Sequence, residues 1–328
     1  MNRSRGTLSE LLAPVAAPLE RMRAILAAQV AEDSAAVRDM TGHVERFHGK
    51  QLRGALVLLT GEATGNTTDE HAAVAAIVEM IHLATLVHDD ILDGAEVRRR
   101  VACVNQRWNN QVAVLLGDFL YARAFALSTQ LSSRLCSQLL AETTRVLCVG
   151  EIEQSTRRYD FDMSAASYES IAAAKTASLY AAACELGARY PGGNVELGKR
   201  MASAGRNLGL AFQIIDDCLD LTASEDEIGK SVGTDVEDGK LTLPVLYTYG
   251  SADERTRAAM RDVYTRPDIE GRRARLFETV DLARGLARAE ARAEELVEEA
   301  LGWLAPLPPS PARTALESVF HFVVTRRQ

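Results

Sequence analysis

Residues 68–93 of this 328-residue chain read TDEHAAVAAIVEMIHLATLVHDDILD, a long apolar stretch that ends in three aspartates. Its alanines, leucines and isoleucines recur three and four residues apart, which predicts a buried α-helix. In such a helix Asp89 and Asp93 lie one turn apart on one face, with side chains roughly 5–6 Å from each other. His82 lies two turns earlier on that face, about 10 Å below Asp89, which favours a functional role for it.

A second stretch repeats this arrangement. Residues 208–220 read LGLAFQIIDDCLD and place Asp216 and Asp220 one turn apart. Like charges one turn apart destabilise a helix, and apolar surroundings make the burial of each carboxylate still less favourable. We therefore expect a cation to offset the negative charge of each pair. Mg²⁺ suits, with Mn²⁺ as an alternative, because it takes hard oxygen ligands and completes its shell with water and substrate phosphates. One such cluster is explained equally well by a solvated helix end, but two copies favour a metal site.

The whole chain has the same helical character. Long alanine- and leucine-rich segments dominate, with almost no alternation of β-branched residues, which predicts an all-α fold. There is no repeat, low-complexity tract or flexible linker, which favours a single domain over residues 1–328. Helices are predicted at about 8–31, 51–63, 68–92, 111–134, 136–158, 166–190, 195–222, 240–249, 280–304 and 310–325.

Composition disfavours several classes of protein. The formal net charge of −8 argues against nucleic acid as a partner, because binding phosphates along a strand needs a basic face. The five cysteines are scattered and never paired as Cys-x-x-Cys, so neither disulfides nor zinc is expected and a cytoplasmic location fits best. No uninterrupted apolar run of ~18 residues is present, so no transmembrane segment is expected.

The basic residues indicate the substrate class. Of the 37 lysines and arginines only five are lysine, and four of these lie in motif-like surroundings: Lys50, Lys175, Lys230 and Lys240. A lysine is a compact point charge on a flexible stem and is not interchangeable with arginine at a phosphate. With Arg53, Arg98 and Arg99, the chain has enough cations for two polyanionic substrates.

In order and spacing, these motifs resemble those of the trans-isoprenyl diphosphate synthases, or polyprenyl synthetases. The resemblance covers nearly the whole chain through Gly49-Lys50-x-x-Arg53, His82, His88-Asp89-Asp90-x-x-Asp93, Arg98-Arg99, Gly117-Asp118, Gly150-Glu151, Lys175-Thr176, Gln213-x-x-Asp216-Asp217-x-x-Asp220, Gly229-Lys230 and Gly239-Lys240-x-Thr242-x-Pro244. It implies a bundle of roughly ten or more antiparallel helices around a deep central cavity, usually in a homodimer. The two aspartate motifs would face each other across the mouth of that cavity.

The resemblance also implies an activity, the metal-assisted condensation of isopentenyl diphosphate with an allylic prenyl diphosphate. The implied metal ligands are Asp89, Asp93 and Asp216, with Asp220 as a further candidate and Asp90 and Asp217 as ligands through water or as supports. The implied cations on the allylic diphosphate are Arg98, Lys175, Lys230 and Lys240. The implied isopentenyl diphosphate pocket consists of Lys50, Arg53, His82 and Arg99. Thr176 and Gln213 would turn oxygen atoms toward the developing allylic cation, and the segment from Gly229 to Gly239 would form a lid.

The chain departs from the family pattern near Arg53 and beyond the first aspartate cluster. Gly54 stands where a proline is usual, and Arg100, Ala102 and Asn109 replace the usual glycine, proline and glycine. The loop that carries Arg98 and Arg99 is therefore more basic and has a differently constrained backbone.

Product length is implied by the two positions four and five residues before the first aspartate cluster, where a bulky aromatic residue gives short products in this family. Here they are Thr85 and Ala84, both small, which predicts a hexaprenyl to decaprenyl product that Ala84→Phe would shorten. Such long products could need a membrane or a carrier for release. A deeper floor could come from the aromatic residues Phe119, Tyr121 and Phe125.

Three alternatives remain open from the sequence. A geranylgeranyl diphosphate synthase differs only in product length. A class I terpene cyclase would not need the isopentenyl diphosphate residues, and a non-catalytic subunit of a heteromeric synthase would not need two intact clusters.

Overall fold

The computed structural model describes residues 7–31, 34–47, 49–98, 100–223, 233–266 and 271–325. Within these ranges the only strands form a short hairpin, in which β1 (Val97–Arg98) pairs antiparallel with β2 (Val101–Ala102). The all-α fold expected from the apolar spacing is confirmed.

The helices are labelled in chain order. They are α1 Leu8–Leu11, α2 Ala16–Val30, α3 Ala35–Val44, α4 Leu52–Thr64, α5 His71–Leu92, α6 Val104–Arg107, α7 Asn110–Gln130, α8 Leu135–Thr156, α9 Ala165–Ala172, α10 Ser178–Arg189, α11 Val195–Thr222, α12 Thr234–Glu237, α13 Leu243–Ser251, α14 Glu254–Thr265, α15 Arg272–Thr279, α16 Ala283–Leu304 and α17 Pro311–Thr325.

Two helices predicted as continuous are interrupted. The segment 8–31 breaks at a 3₁₀ turn, Ala13–Val15, because Pro14 has no N–H to donate and fixes its own φ angle. The segment 166–190 contains a π-helical turn, Ala173–Ala177, which carries Lys175 and Thr176. A π turn inside an α-helix is rare and is frequent at functional sites.

The core lies where α4, α5, α10 and α11 pack together. α5 is buried along most of its length, and α10 fits between α4 and α11 because small residues face its neighbours. A Cβ added at Gly209 on α11 would lie 2.7 Å from the Cα of Ala177. A second, smaller apolar cluster joins Val44 and Phe47 to the second half of α5, to α6 and to the first half of α7.

Among the described residues, two helices, α5 and α7, are long and apolar enough to cross a membrane, a test that core helices of soluble proteins also pass. The most apolar window of α5 is 78% buried inside the protein, which is typical of a core helix, whereas that of α7 is only 39% buried. An apolar face of α7 therefore stays uncovered: Val114 and Leu115 are exposed, as are Val149 and Ile152 on α8.

Candidate active site

A cavity of about 860 Å³ lies between α4, α5, α8 to α12 and α17. Most of the side chains that the sequence singled out line it, together with apolar side chains such as Leu147, Ile171 and Phe212. The predicted residues in its wall are Lys50, Arg53, His82, Thr85, Asp89, Asp93, Arg98, Lys175, Thr176, Gln213, Asp216, Asp217, Asp220 and Lys240.

Two predicted residues do not line this wall, and three other predicted features fall wholly or partly outside the described residues. Asp90 and Ala84 are buried elsewhere. Arg99 and Lys230 lie outside the described residues, as does the predicted lid from Gly229 as far as residue 232.

The first aspartate cluster is divided by the end of its helix. Asp89 is in the last turn of α5 and Asp93 is its C-terminal cap, so both line the cavity. Asp90 points away and its Oδ1 accepts hydrogen bonds from Nε of Arg98 at 2.7 Å, with Nη2 also 2.7 Å away. Asp90 thus holds the β1–β2 hairpin to the end of α5, because burial of its carboxylate requires such a partner.

Lys175 is held against α8 by close packing of the π turn. Its Nζ donates to Oε1 of Gln154 at 2.8 Å and lies 2.5 Å from Oε2 of Glu151. Gly150 allows this approach, since a Cβ there would lie 2.6 Å from the backbone N of Lys175. The sequence singled out Gly150-Glu151 and Lys175-Thr176 as separate motifs, but it indicated neither the contact between Glu151 and Lys175 nor the role of Gln154.

The two cavity-lining carboxyls of the first cluster have opposite pKa shifts. Burial raises the pKa of Asp89 to about 6, and Glu151 and Asp93 add to the shift while Lys175 opposes it. Burial also works against ionisation of Asp93, but Lys240 and Lys175 outweigh it and lower the pKa of that carboxyl. Asp89 is therefore the carboxyl that lacks enough positive charge.

Lys240 lies among three carboxylates. Its Nζ is 2.9 Å from Asp93, 3.4 Å from Asp235 and 3.4 Å from Asp238. Burial opposes its charge, yet Asp235 and Asp93 outweigh burial and raise the pKa of Lys240. The preceding Gly239 has φ +76° and packs on the Tyr159 ring, so the turn that presents Lys240 has no room for a side chain.

The second aspartate cluster divides its roles differently. Asp216 is half-buried and lines the cavity. Asp217 is buried and accepts hydrogen bonds from the Tyr168 hydroxyl and, at 2.7 Å, from Nε2 of Gln213. Asp220 accepts the backbone N–H groups of Gly233 at 3.1 Å and Asp235 at 3.2 Å, so it anchors the start of α12.

Thr176 and Gln213 are in direct contact. The Thr176 hydroxyl donates to Oε1 of Gln213 at 2.8 Å, and both side chains line the cavity. Their oxygen atoms form a small polar group in a wall that is otherwise lined here by Ile171, Leu179 and Phe212.

The carboxylates of both clusters suit a metal ion whose coordination shell is completed by substrate phosphates. No three His, Cys, Asp or Glu side chains are close enough, within the described ranges, to enclose an ion by themselves. Asp89, Asp93 and Asp216 instead offer hard oxygen atoms from two helices of one cavity. This set suits Mg²⁺, which is commonly held by one or two carboxylates together with substrate phosphates. Asp89 is buried near Asp93 and Glu151, so a cation bound there would offset the repulsion among these carboxyls.

Lys50, Arg53 and His82 form a separate basic group on the same cavity. Nη1 of Arg53 is 2.9 Å from Nε2 of His82, and because arginine only donates, His82 accepts at Nε2. The Arg53 guanidinium lies 4.4 Å from the centre of the Tyr180 ring, and Nζ of Lys50 lies 4.9 Å from that of Phe322. The two aromatic residues come from α10 and α17, which the sequence could not place beside these cations.

Thr85 and Ala84, the two positions predicted to determine product length, have different surroundings. Thr85 lines the cavity, whereas Ala84, about 100° further round the helix, is buried in the second apolar cluster. The expectation that Ala84 contacts the substrate is therefore corrected. Phe119 and Tyr121 pack against that second cluster, and the Tyr121 ring is stacked 6.4 Å from Phe125.

Several known proteins are similar to this chain in sequence and fold. The family model for polyprenyl synthetase matches residues 34–280. Heptaprenyl diphosphate synthase component 2 from Geobacillus stearothermophilus is 34% identical over 319 residues, 97% of either chain. Octaprenyl diphosphate synthase from Escherichia coli K12 is 32% identical over 93% of this chain and 94% of its own. A polyprenyl synthase from Caulobacter crescentus, solved with calcium and isoprenyl diphosphate, superposes with a TM-score of 0.92 at 32% identity, over 99% of this chain and 100% of that one.

Proposed function

Since the chain belongs to the polyprenyl synthetase family and is a prenyltransferase that elongates a trans-polyprenyl diphosphate, we propose which part of its cavity binds each of the two substrates. Isopentenyl diphosphate is bound by Lys50, Arg53 and His82, with Arg99 as a further cation. The allylic diphosphate is bound between the two aspartate clusters. The observation that carries this division is that one cavity has two separate basic groups in its wall. Lys50, Arg53 and His82 form one, and Arg98, Lys175 and Lys240 form the other, beside the aspartate clusters.

The allylic diphosphate is bound by metal ions together with basic side chains. We propose that Asp89, Asp93 and Asp216 bind Mg²⁺, and that Arg98, Lys175, Lys230 and Lys240 neutralise the phosphate oxygens. Bound Mg²⁺ would stabilise the negative charge that builds on the leaving diphosphate. Lys175 and Lys240 are already held beside Asp89 and Asp93, so their charges need little rearrangement when the carbon–oxygen bond breaks.

The rest of the cavity protects the carbon that becomes positive. As the diphosphate leaves, the allylic carbon gains cationic character, and the double bond of isopentenyl diphosphate attacks it. The oxygen atoms of Thr176 and Gln213 stabilise that charge, while the surrounding apolar side chains exclude water that would quench it. The attack leaves a cation on the former isopentenyl unit, and a diphosphate oxygen then takes a proton from the carbon next to it, which forms the new double bond.

The test is elongation with labelled isopentenyl diphosphate and a series of allylic primers, followed by sizing of the products. We expect a hexaprenyl to decaprenyl product from a farnesyl or geranylgeranyl primer, and a loss of turnover of at least about a hundredfold in Asp89→Ala. An Asp89→Ala chain as active as the parent would contradict the mechanism. Turnover of the primer without isopentenyl diphosphate would indicate a cyclase instead.

The active form is proposed to be a homodimer in the cytoplasm. The uncovered apolar face of α7 and α8 supports self-association, and the five cysteines, all free, support a reducing compartment. A heteromeric assembly is the second candidate, because one similar protein is itself named component 2 of a synthase. Release of a long product would require a membrane or a carrier.

A further inference from the structure

Tyr168 on α9 is a buried tyrosine in the wall of the cavity, and neither the sequence motifs nor the proposed function gives it a role. Its side chain is only 7% exposed, and its hydroxyl donates to Oδ2 of Asp217, a residue that is itself 4% exposed. A chain of hydrogen bonds continues from there. Gln213 donates from Nε2 to Oδ1 of Asp217 at 2.7 Å, and Thr176 donates to Oε1 of Gln213 at 2.8 Å.

The Gln213 amide is the link in this chain whose orientation matters for the chemistry. Its two ends have nearly the same shape, so its orientation is set by its partners. The Thr176 hydroxyl can donate or accept and is therefore compatible with either orientation, whereas both oxygens of Asp217 act as acceptors here, one for the Tyr168 hydroxyl and one for the NH₂ group of Gln213. Asp217 thus turns the NH₂ group of Gln213 toward itself and leaves the carbonyl oxygen on the side of Thr176 and the cavity.

Tyr168 keeps Asp217 in the position that this orientation needs. A buried carboxyl oxygen needs a hydrogen-bond partner, and the Tyr168 hydroxyl donates to Oδ2 of Asp217 where water has little access. Without it, Oδ2 would have to find another partner, and the carboxyl would rotate away from Gln213. The amide would then lose its fixed acceptor and could turn its NH₂ group, with its positive end, toward the carbon that becomes cationic.

We propose that Tyr168 is a positioning residue that fixes the Gln213 carbonyl oxygen toward the allylic carbon by holding Asp217 as a hydrogen-bond acceptor. The inference rests on the proposed function, since only a reaction with a developing carbon cation needs an oxygen atom rather than an NH₂ group there. Tyr168 itself does not act on the substrate; its effect passes through Asp217 and Gln213.

The test compares two hydroxyl deletions in the full chain, Tyr168→Phe and Tyr264→Phe. Both tyrosines are buried, but within the described part of the chain the Tyr264 hydroxyl has no hydrogen-bond partner. We expect Tyr168→Phe to lower kcat by about ten- to a hundredfold, with the KM values for both diphosphates changed by no more than about twofold, because the groups that bind the diphosphates are untouched. Tyr264→Phe should retain the kcat of the parent.

A second comparison shows whether the effect passes through Gln213. In a Gln213→Ala background, Tyr168→Phe should lower kcat no further, because the group that it positions is gone. Asp217→Asn, which keeps the shape but can present NH₂ to Gln213, should reproduce the loss in kcat even if Tyr168→Phe folds poorly. Melting temperatures of all variants separate a loss of folded protein from a loss of turnover.

The outcomes distinguish this inference from the proposed function. A parent chain that elongates a primer while Tyr168→Phe has the same kcat overturns the inference alone. The inference is also overturned if Tyr168→Phe lowers kcat by the same factor in the Gln213→Ala background as in the parent chain. A rise in both KM values with unchanged kcat overturns it as well. A parent chain that elongates no primer overturns the proposed function and this inference together.

Discussion

Asp89 is the residue at which burial and function conflict most directly. It lies beside Asp93 and Glu151, and burial raises its pKa to about 6, whereas an exposed aspartate ionises near 3.8. The folded, metal-free chain therefore binds a proton at Asp89 between pH 4 and 6 that the unfolded chain has already lost. The contribution of Asp89 to the free energy of unfolding therefore falls as pH rises through that window, and it is lowest once Asp89 is ionised without a cation.

A bound metal should reverse that loss, which gives the first prediction. Mg²⁺ must displace the proton, so we expect the Mg²⁺ concentration for half-saturation to rise up to about tenfold per pH unit below pH 6 and to level off above it. The measurement is the increase in melting temperature with MgCl₂ at pH 5 and at pH 7.5. In Asp89→Asn that increase should be smaller and less dependent on pH. An equal response of the parent chain at both pH values would contradict the argument.

Arg100 is strained by its own backbone, which gives the second prediction. Its φ angle is +63°, in the left-handed region where a Cβ meets the following carbonyl, and it occupies the position where the resembling family has glycine. Arg100→Ala removes the long side chain but keeps Cβ, whereas Arg100→Gly removes both. We therefore expect the glycine variant to be more stable than the alanine variant by about 0.5–1 kcal/mol in urea unfolding, after the greater freedom of glycine in the unfolded chain is subtracted. Equal stabilities would show that the turn carries no such strain.

The residues that the sequence predicted differ in kind from those that it missed. Asp89, Asp93, Lys175 and Lys240 were recognisable because charged side chains in motifs beside apolar helices seldom serve the fold alone. The side chains that hold them were not recognisable. Tyr168, Gln154 and Phe322 are ordinary residues by composition, and their roles arise from contacts across 49, 21 and 272 positions of the chain, which spacing cannot reveal.

At the scale of elements, the β1–β2 hairpin is attached to the rest of the fold by a histidine. His43 on α3 donates from Nε2 to the carbonyl of Ala102 at 2.7 Å, and its Nδ1 accepts from Nη1 of Arg107 at 2.9 Å. The hairpin in turn carries Arg98, which is bound to Asp90. Position 102 has alanine instead of the proline of the resembling family, and the bond to His43 supplies a restraint at that position.

The third prediction is that His43→Phe raises the KM for the allylic primer by about tenfold, because Arg98 is then less well held for its contact with phosphate. The matched control is His71→Phe. His71 is also buried, its Nε2 lies 3.1 Å from the Gly187 carbonyl, and it accepts a backbone N–H, but it does not line the cavity. Both variants should lose stability, and only His43→Phe should change the KM measured at saturating isopentenyl diphosphate. Unchanged KM values in both would mean that the hairpin is held without His43.

The elements themselves were more predictable than their interruptions. The predicted limits of 195–222 coincide with α11, because its apolar face is regular and Asn194 caps its start. The π turn at Ala173–Ala177 left no trace in the apolar pattern, since one inserted residue per turn is accommodated by tertiary packing against Gly150. The helices α14 and α15 were missed because they are rich in charged residues and bury few side chains.

At the scale of the whole molecule, the position of the cavity relative to α5 determines how product length can be tested. Thr85 lines the cavity and Ala84 is in the core cluster, so the same large residue should have different effects at the two positions. The fourth prediction is that Thr85→Phe shortens the product by one or more isoprene units with little loss of stability. Ala84→Phe should instead cost about 1–3 kcal/mol through overpacking and leave the product length of the folded fraction unchanged. Sizing of extracted products and urea unfolding of both variants decide between these results.

Exposed large apolar side chains lie on two consecutive helices, α7 and α8. Leu115 lies 15 residues before the end of α7 and Ile152 lies 17 residues after the start of α8, so both are about 23–26 Å from the connection between these helices. Leu115 is 61% exposed and Ile152 is 64% exposed, and contact of such large apolar side chains with water is unfavourable. A second copy of the chain could cover this face by twofold symmetry, because the same patch would then meet itself.

The fifth prediction is that the double variant Leu115→Glu, Ile152→Glu sediments as a monomer while the parent chain sediments as a dimer. Charges brought together across a twofold interface would repel one another and would lose their hydration, so the interface should be destroyed while the helical fold is kept. Trp303→Glu is the matched control, since Trp303 is 45% exposed on α16, away from α7 and α8, and should leave the dimer intact. A parent chain that is monomeric alone but forms a stable complex with a second, different chain would favour the heteromeric assembly. Binding of the parent chain, but not of the double variant, to lipid vesicles would instead assign this face to a membrane.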